Sequence, residues 1–274
     1  MLTRPIPRTG EALPVVGLGT WQAFDVAARD PKRAALGAVM RTLAAGGGRV
    51  VDSSPMYGRA EEAVGDLLAE PGAPTGLWLA TKVWTTGRRE GIRQMEESLR
   101  RMRTPCMDLM QIHNLVDWKT HAATLAGWKA EGRVRYVGVT HYTAGAHAEL
   151  QRVVATGDFD FVQINYSIAE PDAERTVLRA AQDTGTAVLV NRPLGEGRLV
   201  QRLSRHPLPA WATEIDCATW SQFLLKWILG HPAVTCVIPG TGDASHMADD
   251  LGAGIGRMPD DAMRQRMSAL VKTL

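Results

Sequence analysis

Four residues able to manage a proton on a carbonyl group are spaced through the first half of the chain: Asp52, Tyr57, Lys82 and His113. Residues 46–62, GGGRVVDSSPMYGRAEE, end a β-branched run at Asp52, bend through Ser-Ser-Pro, and present Tyr57 before a helical pattern begins. Lys82 and His113 each close a further apolar run, about thirty residues after the last. A phenol titrates near ~10 when unperturbed, too high for easy proton exchange at neutral pH. A neighbouring ammonium favours the phenolate and lowers that value, and a carboxylate keeps the ammonium charged and aimed. A histidine beside the phenol can hydrogen-bond a carbonyl oxygen and fix its direction. Such a group polarises a carbonyl and hands it a proton, and no serine or cysteine joins it with an obvious base as a nucleophile. Protonating a carbonyl calls for a reductant, so a hydride cofactor is the natural complement. Taken singly, Asp52 could cap a turn, Tyr57 could cover apolar surface and His113 could be a satisfied core histidine; the regular spacing favours the joint role.

That spacing follows from the elements. Residues 6–16 read as a hairpin with its turn at Arg8-Thr9-Gly10-Glu11, followed by a buried strand, 15–20, in which Gly17 and Gly19 permit close backbone approach. Helical patterns at 31–45, 60–69, 88–102, 120–130, 144–155 and 172–184 then alternate with strands at 50–53, 77–83, 107–113, 134–139, 161–166 and 187–191. Residues 194–211 hold Gly195, Gly197, Pro207 and Pro209 and are expected to form an irregular loop. A helix at 217–229, a strand at 235–238 and helices at 244–251 and 260–272 complete the chain. The expected class is α/β, a (β/α)8 TIM barrel with an N-terminal β-hairpin capping its bottom; in that fold the four residues fall on one rim, at the C-terminal strand ends. An open doubly wound sheet would want a glycine-rich phosphate turn. Gly17-Leu18-Gly19 lacks a third glycine, Gly252 to Gly256 follows a helix, and no GK[ST] occurs.

The chain has 274 residues, 45% of them hydrophobic, a size expected for one barrel domain spanning 1–274. With 31 basic against 29 acidic residues, the formal net charge is +2, which disfavours nucleic acid or an anionic membrane as partner. Cys106, Cys217 and Cys236 have no metal-type spacing, so no metal and no disulfide framework is expected. No stretch has the length of a signal peptide or membrane span. A monomer in the reducing cytoplasm is expected.

The motifs LPVVGLGTW, GGRVVDSSPMYGRAEEAVG, LATKVW, MDLMQIHN, VRYVGVTHY, FVQINYS, NRPLGEG and VIPGT occur in this order across nearly the whole chain, which is thereby similar to the aldo-keto reductases. The resemblance implies NAD(P)H-dependent reduction of aldehydes or ketones. Tyr57 would be the general acid, Lys82 would lower its pKa, Asp52 would pair with the lysine, and His113 would orient the carbonyl. It further implies cofactor contacts from Gly19, Thr20, Trp21, Asp52, Gln163, Ile238, Asp249 and Asp250. Thr140-His141 stand where the family has Ser-Asn, Asn191 where many members stack an aromatic ring, and Arg192 follows it. Pro193, Leu194, Gly195 and Gly197 match the loop over the pyrophosphate. Gly240-Thr241 and His246 replace the Lys-Ser pair and the arginine of NADP-preferring members; Arg192, Arg198 and Lys226 are the other cations that could approach a 2′-phosphate. Family habit favours NADP, and the local residues alone lean to NAD. Trp21, Trp84, Trp118 and His113 would line the substrate pocket, and such aromatic walls suit an apolar or aromatic carbonyl compound. Two alternatives stand beside this reading: a nucleotide-binding sensor with little turnover, and a lyase or isomerase that uses no nicotinamide.

Overall fold

Period-two runs of β-branched and apolar residues become strands that are covered on both faces, and this arrangement dictates the layering of the molecule. The computed structural model describes residues 1–274. A hairpin of β1 (Thr3–Pro5) and β2 (Ala12–Pro14) precedes eight parallel strands: β3 (Leu18–Gly19), β4 (Val50–Asp52), β5 (Trp78–Val83), β6 (Met107–His113), β7 (Val134–Thr140), β8 (Phe161–Asn165), β9 (Ala187–Asn191) and β10 (Cys236–Val237). Each pairs with its chain neighbour, and the sheet closes where Val16 bridges Val237 and Gly19 bridges Gly240. The glycines permit this seam: a Cβ on Gly19 would stand 2.9 Å from Ile238 O, and one on Gly17 2.7 Å from Val50 Cβ. Gly17 N–H donates to Val237 O at 2.8 Å and Gly19 N–H to Pro239 O at 2.9 Å.

Helices α1 (Lys32–Ala45), α2 (Ala60–Leu68), α3 (Arg88–Arg101), α4 (Trp118–Ala130), α5 (His147–Val154), α6 (Val177–Thr184), α7 (Arg198–Leu203), α8 (Trp220–Leu229), α9 (Ala244–Gly252) and α10 (Asp261–Thr273) surround the sheet. The larger buried cluster, of 61 residues, lies mainly between strands and helices. A cluster of 12 is largely the barrel interior, including Val50, Trp78, Ala80, Leu109, Tyr136, Phe161, Leu189 and Cys236. Because strand side chains alternate, Asp52, Lys82, Gln111, His113, Gln163 and Asn191 share the inward face with these apolar residues but lie one or two steps toward the C-terminal ends. The interior is thus apolar below and polar above. Ile6 and Leu13 from the hairpin pack into the apolar layer, and Thr9 Oγ1 lies 2.9 Å from the Tyr136 hydroxyl, so the hairpin seals the bottom.

Several boundaries differ from the sequence expectation. The first hairpin arm is Thr3–Pro5 instead of a strand starting at residue 6, and both arms contain proline, tolerated because neither strand joins the barrel ladder. The loop expected at 194–211 contains α7 and the start of a 3₁₀ turn, Ala210–Ile215, its prolines fitting the gap between the two. The helix expected at 172–184 is a 3₁₀ turn, Asp172–Arg175, followed by α6, broken at Thr176 with φ −130°. The next helix begins at Trp220 instead of 217, because Thr219 caps it by accepting from Gln222 N–H.

Candidate active site

Burial governs the centre of the polar layer. Lys82 is fully buried, and its ammonium donates to Asp52 Oδ2 at 2.6 Å and to Ser53 O at 2.6 Å. The other carboxylate oxygen of Asp52 accepts from Gln111 Nε2 at 3.0 Å and Gln163 Nε2 at 2.9 Å. With both oxygens held, the carboxylate cannot turn away from the lysine. The ammonium stands 5.1 Å from the centre of the Tyr57 ring. The His113 ring meets the tyrosine edge-on, with centroids 5.9 Å apart and planes at 85°. Ser54 Oγ lies 3.0 Å from His113 Nδ1, fixing the imidazole from behind. All four sequence-predicted catalytic residues therefore meet, on β4, its following loop, β5 and β6.

Their electrostatics favour one set of protonation states. Burial opposes charge on Lys82, but Asp52 and Tyr57 outweigh it and hold the ammonium above the ordinary lysine value. Burial pushes the Tyr57 hydroxyl above the usual phenol value, the Lys82 charge pulls it down, and Asp52 adds to the rise. Lys82 thus acts on the phenol in the direction expected from the sequence, but burial outweighs it, and the hydroxyl keeps its proton at neutral pH, the state a donor needs. Burial, with Lys82 and His141 adding to it, pushes His113 down to about 2, so its imidazole is neutral.

A cavity of about 630 Å³ opens over this centre and runs toward α9. Gly19, Thr20, Trp21, Asp52, Thr140, Gln163, Asn191, Arg192, Pro193, Leu194, Gly197, Ile238, Gly240, Thr241, His246, Asp249 and Asp250 all line it, as the sequence led us to expect, together with Tyr57, Trp84 and His113. Lys82 lies beneath the lining, and three of the expected cofactor and substrate contacts do not reach it. Trp118 opens α4 and its indole lies against Phe159, 6.4 Å between centroids, in the outer layer. The His141 ring stacks on Tyr142 and accepts from Tyr142 N–H at 3.0 Å, so it closes its own turn. Gly195, with φ +58°, sits behind the lining against Leu199. Lys226 is also out of reach, donating to the carbonyls of Ile215, Ile255 and Arg257. Gln163 is committed: its nitrogen holds Asp52, and its oxygen accepts from Thr140 Oγ1 and Asn191 Nδ2, both at 3.3 Å.

Residues not singled out from sequence complete the site. Gln111, two positions before His113, carried a readable signal, since period two puts it on the same inward face. Tyr142, Glu196 and Ser221 line the cavity but sit in loops or on a helix, where no periodicity marks them. Arg192 and Glu196 occupy left-handed backbone at φ +50° and +59° and pair at 3.1 Å. Asp250 is buried, accepts from Ser221 Oγ, and is pushed up to about 7 by burial, with Asp249 adding to the rise. Asn191 Oδ1 and Arg192 Nε are buried without a hydrogen-bond partner in residues that line the cavity. A ligand with an amide and anionic groups would satisfy such atoms.

The model of the aldo/keto reductase family matches residues 15–270. The chain belongs to the aldo/keto reductase family. Among curated relatives, methylglyoxal reductase YeaE of Escherichia coli (strain K12) is 28% identical over 244 residues, covering 86% of this chain and 84% of the relative. An aldo-keto reductase of Mycobacterium sp. (strain KMS) is 31% identical over 228 residues, covering 80% and 76%. Among solved structures, an aldo-keto reductase of Klebsiella pneumoniae in complex with NADPH superposes with a TM-score of 0.82 at 27% identity, covering 99% of this chain and 96% of the other. As an aldo/keto reductase, the chain is an oxidoreductase acting on small carbonyl compounds, and its eight-stranded sheet is the family's barrel. No helix is long and apolar enough to cross a membrane.

Proposed function

We propose that this protein reduces aldehydes or ketones to alcohols with NADPH, Tyr57 giving the proton. The observation that carries the proposal is the buried chain from Gln111 and Gln163 through Asp52 to Lys82, ending beside the Tyr57 ring under the cavity floor. His113, neutral, hydrogen-bonds the carbonyl oxygen and directs it to the Tyr57 hydroxyl. Tyr57 donates its proton to that oxygen as charge develops there, and the adjacent Lys82 ammonium stabilises the phenolate left behind. Asp52 keeps Lys82 charged through the step. A bound nicotinamide nucleotide would supply the hydride. Asn191 and Thr140 would hold its amide end, Arg192 and the 193–197 loop its phosphates, and Thr241, His246, Asp249 and Asp250 its adenosine end. NADP is favoured because a structural relative is described in complex with NADPH; NAD is the second candidate, since Gly240 and His246 stand where cations would read a 2′-phosphate. Methylglyoxal, named for one relative, is a starting substrate. We further propose a single barrel domain acting as a monomer in the reducing cytoplasm, consistent with three unpaired cysteines.

The test is nucleotide oxidation with NADPH and NADH against a panel of aldehydes, alongside a fluorescence titration with each nucleotide. Turnover that disappears in Tyr57→Phe supports the proposal. Binding without turnover would return the protein to the sensor reading, which has no observation in its favour while the four residues stand assembled. Failure to bind either nucleotide would point to the lyase or isomerase.

A further inference from the structure

The chain buries three histidines, His113, His121 and His147, and anchors two of them by one ring nitrogen and the third by the other. His121 Nε2 lies 2.7 Å from Thr85 O and His147 Nε2 lies 2.9 Å from Asn165 Oδ1; in both rings Nδ1 is sealed off without a partner. His113 is held by Nδ1 instead, 3.0 Å from Ser54 Oγ. Its Nε2 has no partner within the protein, is not sealed off, and belongs to a ring that lines the cavity. The nitrogen that pins the two core histidines is here left for whatever enters.

Ser54 is fully buried, so its hydroxyl proton needs an acceptor within the protein. Oγ accepts from Met56 N–H at 3.3 Å, inside the turn Ser54-Pro55-Met56-Tyr57, in which Tyr57 N–H also donates to Ser54 O at 3.0 Å. The only other polar partner of Oγ is His113 Nδ1. If Nδ1 carried the ring proton, Oγ would receive two hydrogens and its own would be buried without an acceptor, an unmade hydrogen bond that folded proteins avoid. Donation from Ser54 to Nδ1 leaves no such orphan. Burial keeps the ring neutral, so its single proton then sits on Nε2.

We propose that Ser54 is a positioning residue: its hydroxyl donates to Nδ1 of His113 and holds the imidazole as the Nε2–H tautomer, so that Nε2 donates to the oxygen of an incoming carbonyl. The other tautomer would aim a lone pair at that oxygen and turn the carbonyl away from Tyr57. One turn therefore sets both partners of the step, the acid through the Tyr57 backbone and the group that directs the carbonyl through the Ser54 hydroxyl. The proposal rests on the carbonyl-reductase reading of His113 given above.

The test compares the parent protein, Ser54→Ala and Ser54→Thr by nitrogen NMR with isotope-labelled histidine near neutral pH, the His113 signals being identified by their loss in His113→Asn. The parent ring is expected to carry its proton on Nε2. Ser54→Ala, which leaves Nδ1 without a donor, is expected to mix the two tautomers, and Ser54→Thr, which keeps the hydroxyl, to restore the parent pattern. With NADPH and an aldehyde, kcat of Ser54→Ala should fall about tenfold, equivalent to about 1.4 kcal/mol or one hydrogen bond, while nucleotide affinity from the fluorescence titration stays at the parent value. A Ser54→Ala ring still wholly Nε2–H, or mixed tautomers with parental kcat, overturns the proposal. So does a parent ring protonated on Nδ1, whether or not the variants fold. If the parent turns over no aldehyde, the reductase reading fails, and the NMR comparison still decides whether Ser54 sets the tautomer.

Discussion

Replacing Lys82 by Met tests the site at its most consequential bond. The side chain is fully buried and of similar length, so the change removes a charge with little change in volume. Asp52 would keep two glutamine donors but lose its cation, and breaking a buried pair from one side costs about 3–5 kcal/mol. In a barrel of this size that lowers Tm by on the order of 10 °C. The phenol loses a unit charge about 5 Å away, worth about 3 kcal/mol at an effective dielectric of 20, or about two pK units upward. Tyr57 then becomes a much weaker acid, and kcat should fall at least about a hundredfold, within the span of general acid catalysis. The assays are thermal melts and nucleotide oxidation followed from about pH 6 to about pH 12, because the Tyr57 hydroxyl lies above the ordinary phenol value. Activity with the parent enzyme should fade as pH rises through the phenol's value, because the donor must carry its proton; in Lys82→Met that alkaline limb should move up while the plateau drops. A variant with parental kcat and an unshifted limb would refute the coupling of amine to phenol.

Other expectations follow from the same geometry. Tyr57→Phe should lower kcat by about 10² to 10⁴ while Tm changes little, since the ring stays and Lys82 keeps Asp52 and Ser53 O as partners, and parallel melts and rates separate the two effects. His113 is neutral down to about 2 in the fold but titrates near ~6.5 when unfolded, so below that value the unfolded state binds the extra proton. Stability should therefore fall with pH below ~6.5, by about 1.4 kcal/mol per unit from this group, and His113→Asn should flatten that slope in urea titrations. Asp250 has the opposite sign: its folded value of about 7 lies above the unfolded ~3.9, so it removes stability as pH rises through that window. Asp250→Asn can still accept from Ser221, and should gain on the parent between pH 4.5 and 8; a gap that does not widen with pH would contradict the burial argument.

What could be read from the chain depended on periodicity. Lys82 and His113 close long period-two runs, so their position at strand ends, and hence on one rim, was visible from spacing. The barrel's seam was less so, because β3 and β10 are only two residues each and are defined by the neighbours they bridge. The hairpin arms were displaced because Thr3-Arg4-Pro5 has no strand signature of its own. Side-chain direction was the other gap. Trp118 and His141 follow strands just as Trp84 does, yet the first turns to Phe159 and the second folds over Tyr142. Nothing in composition distinguishes a ring that faces the cavity from one that faces its own turn. The double anchoring of Asp52 by Gln111 and Gln163 required cross-strand register, which spans 111 positions of sequence in the second case.

The hairpin plug has a kinetic consequence. With Ile6 and Leu13 seated in the apolar floor, the barrel is a vessel closed at the bottom, and Trp21, Trp84 and Tyr142 stand around its open cavity. Nucleotide, carbonyl compound and alcohol all have to pass that opening, and the reactant nearer the opening blocks the exit of the one behind it. If the nicotinamide end of the nucleotide lies on the floor beside Tyr57 with the carbonyl compound above it, arrival in a fixed sequence, and departure in the reverse sequence, follows from the shape of the container before any chemistry occurs.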